Sequence, residues 1–320
     1  VRLKNALETI SAINLEDSEK VGFTSTEAMQ IFLDKIEWLS QQDGDISGVD
    51  TGFARLNQIT YGLQKPGRYV IAAQNGVGKT TLAMNMLETM AFRNGDNCLF
   101  LSLEMPIDRV MMKFASSMTN VHMGQYLSGN VLNCDDSAAR LMGQMAAMQV
   151  DNLIIDDKPL SVGEMEIRIK AHEMRLGGKI DVIVIDYFGL IRSSGGGEEY
   201  YSNIADAIDN ISKKFNCAVV TIAQLTKSFI GKPTRKDVRN GGKLCDAADF
   251  VGLLWRDTQI GEELKDGDVL TFAVDKNRYG PITAFGFESA LSRSKLIECE
   301  KPEEEIIEPK RPRKDFFNAN

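Results

Sequence analysis

Cysteine and histidine are few in this chain. Its five cysteines, Cys98, Cys134, Cys217, Cys245 and Cys299, are scattered, and no two form a C-x-x-C pair. The two histidines, His122 and His172, lie far apart. That spacing argues against a zinc site or disulfide framework and fits a reducing cytoplasm. No apolar run approaches the roughly 18 residues of a membrane span, so no membrane partner is expected. The N-terminal residues also lack the apolar core of a signal peptide. A general excess of positive charge is missing too: 37 Lys and Arg against 45 Asp and Glu leave a net charge of −8. That balance does not suggest a surface coated for nucleic acid, a job that a local basic patch could still do. The rest is ordinary globular composition, and 320 residues suffice for one large α/β domain with appendages.

The most informative stretch runs from Tyr69 to Met86. Tyr69-Val70-Ile71 predicts a short strand, and an Ala/Met/Leu-rich helix follows after Ala73-Gln74-Asn75-Gly76-Val77-Gly78-Lys79-Thr80-Thr81. Strand, glycine loop, Lys-Thr and helix are what a phosphate-cradling loop requires. The glycines let backbone N–H groups curl around an anion, and the helix N-terminus adds partial positive charge. Lys79 is then expected to neutralise β- and γ-phosphate charge, and the Thr80 hydroxyl to ligate Mg²⁺. The pattern is G-x-x-x-x-G-K-[ST] with Ala73 in the first glycine's place. A plain turn with an exposed lysine is the bland alternative, and its setting between strand and helix argues against it.

Upstream, residues 1–47 form an N-terminal segment. Thr24-Ser25-Thr26-Glu27 fits a capping box, and Met29, Phe32, Leu33, Ile36 and Leu39 make one stripe of an amphipathic helix over about 27–42. Gln41 to Asp50 reads as a linker. The globular domain is expected over 48–298, with strands at Tyr69–Ala73, Cys98–Leu103, Asn152–Asp156, Val182–Ile185, Ala218–Ile222, Phe250–Trp255, Val269–Val274 and Thr283–Phe287. Ser161-Val162-Gly163-Glu164 is a second capping box, Gly195 to Glu199 reads as a mobile loop, and Ile204 to Phe215 has helical spacing. Strands alternating with helices predict a mostly parallel sheet covered on both faces. The tail, 299–320, is poor in apolar residues, acidic then basic, and its composition predicts disorder.

In such a sheet, ligands bind beyond the carboxyl ends of the strands. There lie the phosphate loop, Glu104, Asp186 and Gln224. Asp186 is the expected Mg²⁺-linked partner of Thr80. Glu104 is free to orient or deprotonate an attacking water, and Gln224 to sense the γ-phosphate. Leu153-Ile154-Ile155-Asp156 fits the same apolar-run-then-Asp pattern, and spacing alone does not exclude it; Asp186 is preferred.

Two further segments carry charge. Thr226 to Lys243 holds Lys227, Lys232, Arg235, Lys236, Arg239 and Lys243 against the single acid Asp237. Its Gly and Pro content predicts a loop, and its position favours contact with a nucleic-acid backbone over an ordinary solvated loop. Lys276 and Arg278 stand at a turn after a strand, where they could serve as fingers reaching another subunit's nucleotide; on spacing alone a surface turn is commoner.

Together these motifs resemble the C-terminal motor domain of DnaB-type replicative helicases, a RecA-like α/β fold. The resemblance covers roughly Gly48 to Phe287. Gly48-Val49-Asp50-Thr51-Gly52-Phe53 with Gly62-Leu63-Gln64 looks like the domain's opening, and Ala73 to Thr80 like its A-x-x-x-x-G-K-T loop. Ser102-Leu103-Glu104-Met105 is similar to S-L-E-M, Ile185-Asp186-Tyr187 to I-D-Y and Gln224-Leu225 to Q-L. Asp237 to Gly242 is similar to D-L-R-E-S-G, and Lys276 to Pro281 to K-x-R-x-G-P. The resemblance implies ATP and Mg²⁺ as cofactors, Glu104 as catalytic glutamate and Gln224 as γ-phosphate sensor. It implies Lys276 and Arg278 acting in trans, and Arg239, Asn240 and Gly242, with Lys227 and Lys236 nearby, on single-stranded DNA. It also implies a homo-hexameric ring moving 5′→3′, with the helix at 27–42 docked on the adjacent subunit. A helicase loader, initiator or primase are the expected protein partners.

Several positions depart from the family's pattern. Lys113 stands where an active-site arginine is common, which implies an altered contact with the nucleotide's γ-phosphate; Gly189 replaces a glutamine, Asn240 an acid, and Cys245-Asp246 a Glu-Gln pair. The family's N-terminal collar domain, which engages primase, has no counterpart. That implies a truncated product or a compact helicase of a phage or mobile element. Two other functions remain open: a RecA-like repair or recombination ATPase, and a nucleotide-gated module that recruits a replisome without unwinding.

Overall fold

The computed structural model describes residues 22–41, 46–226, 231–256 and 264–300. The chain divides into two units, Val1–Ser47 and Gly48–Asn320. In the first, helix α1 (Ser25–Ser40) starts where Thr24 caps it. The Thr24 side chain accepts the Glu27 N–H while the Glu27 carboxylate accepts the Thr24 N–H. The helix therefore begins and ends two residues earlier than its apolar stripe predicts. Of the expected linker, residues 42–45 lie outside the described residues, whereas Val49 is buried and bridges to Leu63.

The second unit holds α2 (Ala54–Thr60), β1 (Gly67–Ala73) and α3 (Lys79–Leu87), which runs on as a π-helical stretch over Glu88–Asn94. Next come β2 (Cys98–Ser102), α4 (Ile107–Thr119), α5 (Met123–Ser128), α6 (Asp135–Met148) and β3 (Leu153–Asp156). They are followed by α7 (Val162–Leu176), β4 (Val182–Asp186), α8 (Glu198–Phe215), β5 (Ala218–Gln224) and α9 (Gly242–Ala247). The unit ends with β6 (Phe250–Trp255), β7 (Val269–Asn277), β8 (Ala284–Ala290) and β9 (Lys295–Cys299).

The strands form one sheet in the order β3-β2-β4-β5-β1-β6-β7-β8-β9. From β3 to β6 every pairing is parallel, and β7 to β9 add an antiparallel meander. Side chains alternate across the pleat. Tyr69, Ile71 and Ala73 of β1 enter a core with Leu82 and Met86 of α3 and Phe114 of α4. Val70 and Ala72 face the other way, into a core with Ile169 of α7 and Ile204 and Ile208 of α8. Two covered faces explain why the central strands read as unbroken apolar runs. Gly252 of β6 has its own cause: a Cβ there would meet Phe272 Cζ at 2.3 Å.

Some boundaries differ from the sequence reading. Glu198 and Glu199, read as loop, form the acidic first turn of α8, where negative charge favours a helix N-terminus. Strand β7 continues through Asn277, so Lys276 lies on a strand opposite Val251 rather than in a turn. The basic segment is not all loop: Arg235–Asp237 is a 3-10 turn capped by Thr234, and Gly242 opens α9, which buries Leu244 and Cys245. Strand β9 went unread, and it takes in Cys299, the first residue assigned to the tail. Beyond residue 300, that tail lies outside the described residues.

Candidate active site

Strand β1 ends at Ala73, and the chain turns through Gln74–Gly78 into α3. Gly76 and Gly78 have φ of +81° and +96°, a left-handed geometry that glycine adopts without steric cost. Ala73 needs no such freedom. It sits in β1 with its carbonyl accepting the Leu225 N–H at 2.9 Å. The loop places Lys79, Thr80 and Thr81 on the first turn of α3, with Lys79 and Thr80 toward the sheet's carboxyl edge.

The register brings the other polar groups to the same edge. Ser102 at the end of β2 lies beside Asp186 at the end of β4, and Gln224 at the end of β5 lies beside Ala73. Thr80 Oγ1 donates to Asp186 Oδ2 at 2.7 Å. Lys79 Nζ lies 3.6 Å from Glu104 Oε2, with the lysine largely buried and the glutamate exposed. Asp186 is wholly buried, and its other oxygen, Oδ1, has no hydrogen-bond partner. Burial pushes the Asp186 carboxyl above the usual range, against the pull of the Thr80 hydroxyl and the Lys79 charge. Lys113 on α4 is affected oppositely. Burial pushes its ammonium down, Asp186 raises it, and Lys79 lowers it further.

The two aspartates with the same local pattern part company here. Asp156 accepts from Arg168 through both carboxylate oxygens and pairs with His172 Nε2 at 2.9 Å. Asp157 accepts the Ile107 N–H at the start of α4. Neither touches Thr80.

The basic segment closes directly on the Gln224 end of β5. The Arg239 N–H donates to the Gln224 carbonyl at 2.8 Å, the Thr226 N–H to the Asp237 carbonyl at 2.7 Å, and Leu225 bridges to Val238. A cavity of about 100 Å³ lies at this junction, lined by Tyr187, Gln224, Arg239 and Asn240 among others. Lys236 is exposed, Gly242 begins α9, and Lys227 lies outside the described residues.

Lys276 and Arg278 are not part of this cluster. Asp249, Arg68 and Arg278 meet at the amino edge of the sheet, where β1 begins. Arg68 and Ala73 are five residues apart on β1, which at about 3.3 Å per residue separates the two edges by roughly 17 Å. Sequence reading missed Asp249 and Arg68, which belong to no recognisable spacing. Among the described residues, no cluster of His, Cys, Asp and Glu could hold a metal alone, and no helix is long and apolar enough to cross a membrane.

A RecA-like fold with a glycine loop, a Thr–Asp pair and a carboxylate at one sheet edge defines the class: a nucleotide-using domain. The family model for the DnaB-like helicase C terminal domain matches residues 48–295. The chain belongs to that family. It is 26% identical over 276 residues to the replicative DNA helicase DnaC of Bacillus subtilis (strain 168), covering 84% of this chain and 60% of that protein. It thus spans about three-fifths of that relative's length. Among solved structures, a separately solved ATPase domain superposes with a TM-score of 0.76 at 21% identity, covering 85% of this chain and 98% of that one. A DnaB-like replicative helicase studied with its primase interactions gives a TM-score of 0.74 at 21% identity, covering 92% and 71%.

Proposed function

We propose that this chain is the motor of an ATP-dependent DNA helicase that works as a homo-hexameric ring on single-stranded DNA, moving 5′→3′. The observation that carries this reading is the division of labour between the sheet's edges. The carboxyl edge holds Lys79, Thr80, Glu104, Asp186 and Gln224, while Lys276 and Arg278 sit one strand length away. Cations that cannot reach their own nucleotide are suited to a neighbour's. Bacterial relatives make a replisome, in the cytoplasm of a bacterial or phage-infected cell, the expected setting. Family partners such as a loader, an initiator or primase belong to the same proposal.

The donor set fits Mg²⁺. A hard cation takes oxygen ligands and keeps several waters. Thr80 Oγ1 would ligate it, and the unpartnered Asp186 Oδ1 would accept from one of its waters. Bound there, the ion supplies charge neutralisation on the β- and γ-phosphate oxygens.

The protein's own groups do the rest. The N–H groups of Gln74–Thr81 and Lys79 hold the phosphates. Glu104 shares Lys79 in the resting state and takes a proton from the attacking water once the lysine turns to phosphate. Arg278 of the next subunit would oppose charge that develops only in the transition state. Gln224 is bonded through its carbonyl to the Arg239 N–H, so loss of the γ-phosphate is felt at the DNA-contacting segment.

The test is ATP hydrolysis with and without single-stranded DNA, alongside particle mass. DNA-stimulated turnover by closed hexamers is expected. Filaments on DNA would favour the recombination ATPase, and no turnover would favour the recruitment module.

A further inference from the structure

Arg278 is held by one residue through both its backbone and its side chain. Its N–H donates to the Asp249 carbonyl at 2.9 Å, and its Nη1 donates to Asp249 Oδ1 at 2.7 Å. Asp249 in turn is fixed on Arg68 of β1. Its Oδ2 accepts the Arg68 backbone N–H at 3.0 Å and Nε at 3.1 Å, and its Oδ1 accepts Nη2 at 2.9 Å. The Asp249 N–H closes the ring by donating to the Arg68 carbonyl at 2.8 Å. Arg68 has a second carboxylate, Asp209 on α8.

The burial is graded. The Asp249 side chain is 8% exposed and that of Arg68 18%, whereas that of Arg278 is 52% exposed. So a largely buried ion pair, hydrogen-bonded to the backbone, presents one carboxylate oxygen to a half-exposed guanidinium. Because Arg68 divides its charge between Asp249 and Asp209 and Arg278 is half exposed, the hold on Arg278 is a charge-assisted hydrogen bond screened by solvent. Such a contact orients a long side chain and still lets it exchange the carboxylate for a phosphate.

We propose that Asp249 is a positioning residue for Arg278, setting the guanidinium where a neighbouring subunit's nucleotide meets it. This rests on reading Arg278 as acting in trans. The reference point is the amino end of β1, whose carboxyl end carries the phosphate loop. One strand thus ties the cation a subunit lends to the site it keeps. Lys276 is anchored nearby, its Nζ donating to the Asp246 carbonyl at 2.6 Å and the Cys245 carbonyl at 3.3 Å. Both cations are therefore referenced to the corner between α9 and β6.

Asp249→Asn keeps an oxygen at the Oδ2 position and changes the group at Oδ1, which serves Arg278 and Arg68 Nη2. The Oδ2 position faces a fixed backbone N–H and the Arg68 Nε, so the amide oxygen belongs there. The amide nitrogen then replaces Oδ1 and turns a donor toward two donors, Nη1 of Arg278 and Nη2 of Arg68. Arg68 keeps Asp209, so the fold retains an ion pair at this point.

The experiment is a double-mutant cycle on assembled rings with single-stranded DNA, read by single-turnover and steady-state hydrolysis. Asp249→Asn is expected to lower kcat on the order of 10- to 100-fold, the scale of a small misplacement, with KM for ATP unchanged. In the Arg278→Ala background it should lower the rate no further. An equal loss in both backgrounds would overturn the positioning role, because a merely structural aspartate acts without regard to Arg278. A wild-type kcat in Asp249→Asn, with Arg278→Ala still crippled, would overturn it too and leave the trans reading intact. If Arg278→Ala itself leaves the rate unchanged, the trans reading fails first. Should Asp249→Asn not assemble, Asp249→Glu takes its place in the cycle, keeping the charge while displacing the oxygen by one methylene. The same non-additivity is expected of it, and additivity would overturn the proposal.

Discussion

Thr80 and Asp186 share a hydrogen bond of 2.7 Å that leaves the second oxygen of a wholly buried carboxylate without a partner. A buried orphan acceptor is costly, and here burial has already pushed the carboxyl above its usual range. The site therefore carries an unmet demand for a donor or a cation beside the phosphate loop.

Asp186→Asn and Asp156→Asn should then act in opposite directions. Asp186→Asn keeps an acceptor for Thr80 and removes a desolvated charge. In the absence of nucleotide and Mg²⁺ its Tm is expected to hold or rise while hydrolysis is lost. Asp156→Asn should leave hydrolysis intact and lower the Tm. Burial alone would raise the Asp156 pKa, but the Lys158 N–H, Arg168 and His172 outweigh it and hold the carboxyl below its ordinary value. For a depressed carboxylate pKa, the stabilisation is complete above the unfolded value and disappears as pH falls through the folded one. The Tm deficit of Asp156→Asn should thus be full at pH 7 and shrink below about pH 4. Thermal melts across pH, paired with a hydrolysis assay, check both.

Glu104→Gln should separate binding from turnover. Gln keeps the shape and loses the base, and removal of a general base costs typically ~10²–10⁴-fold. A fluorescent ATP analogue should bind as before while hydrolysis collapses. Retained hydrolysis would move the base elsewhere.

Arg239→Ala should weaken binding to single-stranded DNA and reduce the salt slope by about one phosphate contact. Binding isotherms at several salt concentrations measure it. An unchanged slope would take this segment out of the DNA path. Because the Arg239 N–H bonds the Gln224 carbonyl through backbone alone, this substitution should leave basal hydrolysis, without DNA, unaltered.

What the chain reveals unaided follows from burial. Strands β1, β2, β4 and β5 are covered on both faces, so each is a continuous apolar run that composition exposes. Strand β9 is short and half exposed, with Leu296 buried beside an outward Ile297, and it lacks that signal. The α8 start was hidden by the glycines before it. The choice between Asp156 and Asp186 depends on strand order, which no local pattern contains. Strand β4 is two places from β1, whereas β3 is the sheet's edge, four places away. At about 4.8 Å per place, only one aspartate comes near Thr80. Asp249 is the extreme case, since its role arises from contacts to residues 181 positions earlier and 29 later.

The most direct measurement uses rings co-assembled from Glu104→Gln and Arg278→Ala subunits, with mixing verified by mass. An Arg278→Ala subunit keeps its own Glu104, and a Glu104→Gln subunit keeps its Arg278 on Asp249. Single-turnover hydrolysis is read on the mixed rings with single-stranded DNA. The expected result is a burst that neither parent gives, arising where an intact carboxyl-edge site faces an intact Arg278 across the interface. Mixed rings that assemble and bind ATP yet give no burst would contradict a site completed by the neighbouring subunit.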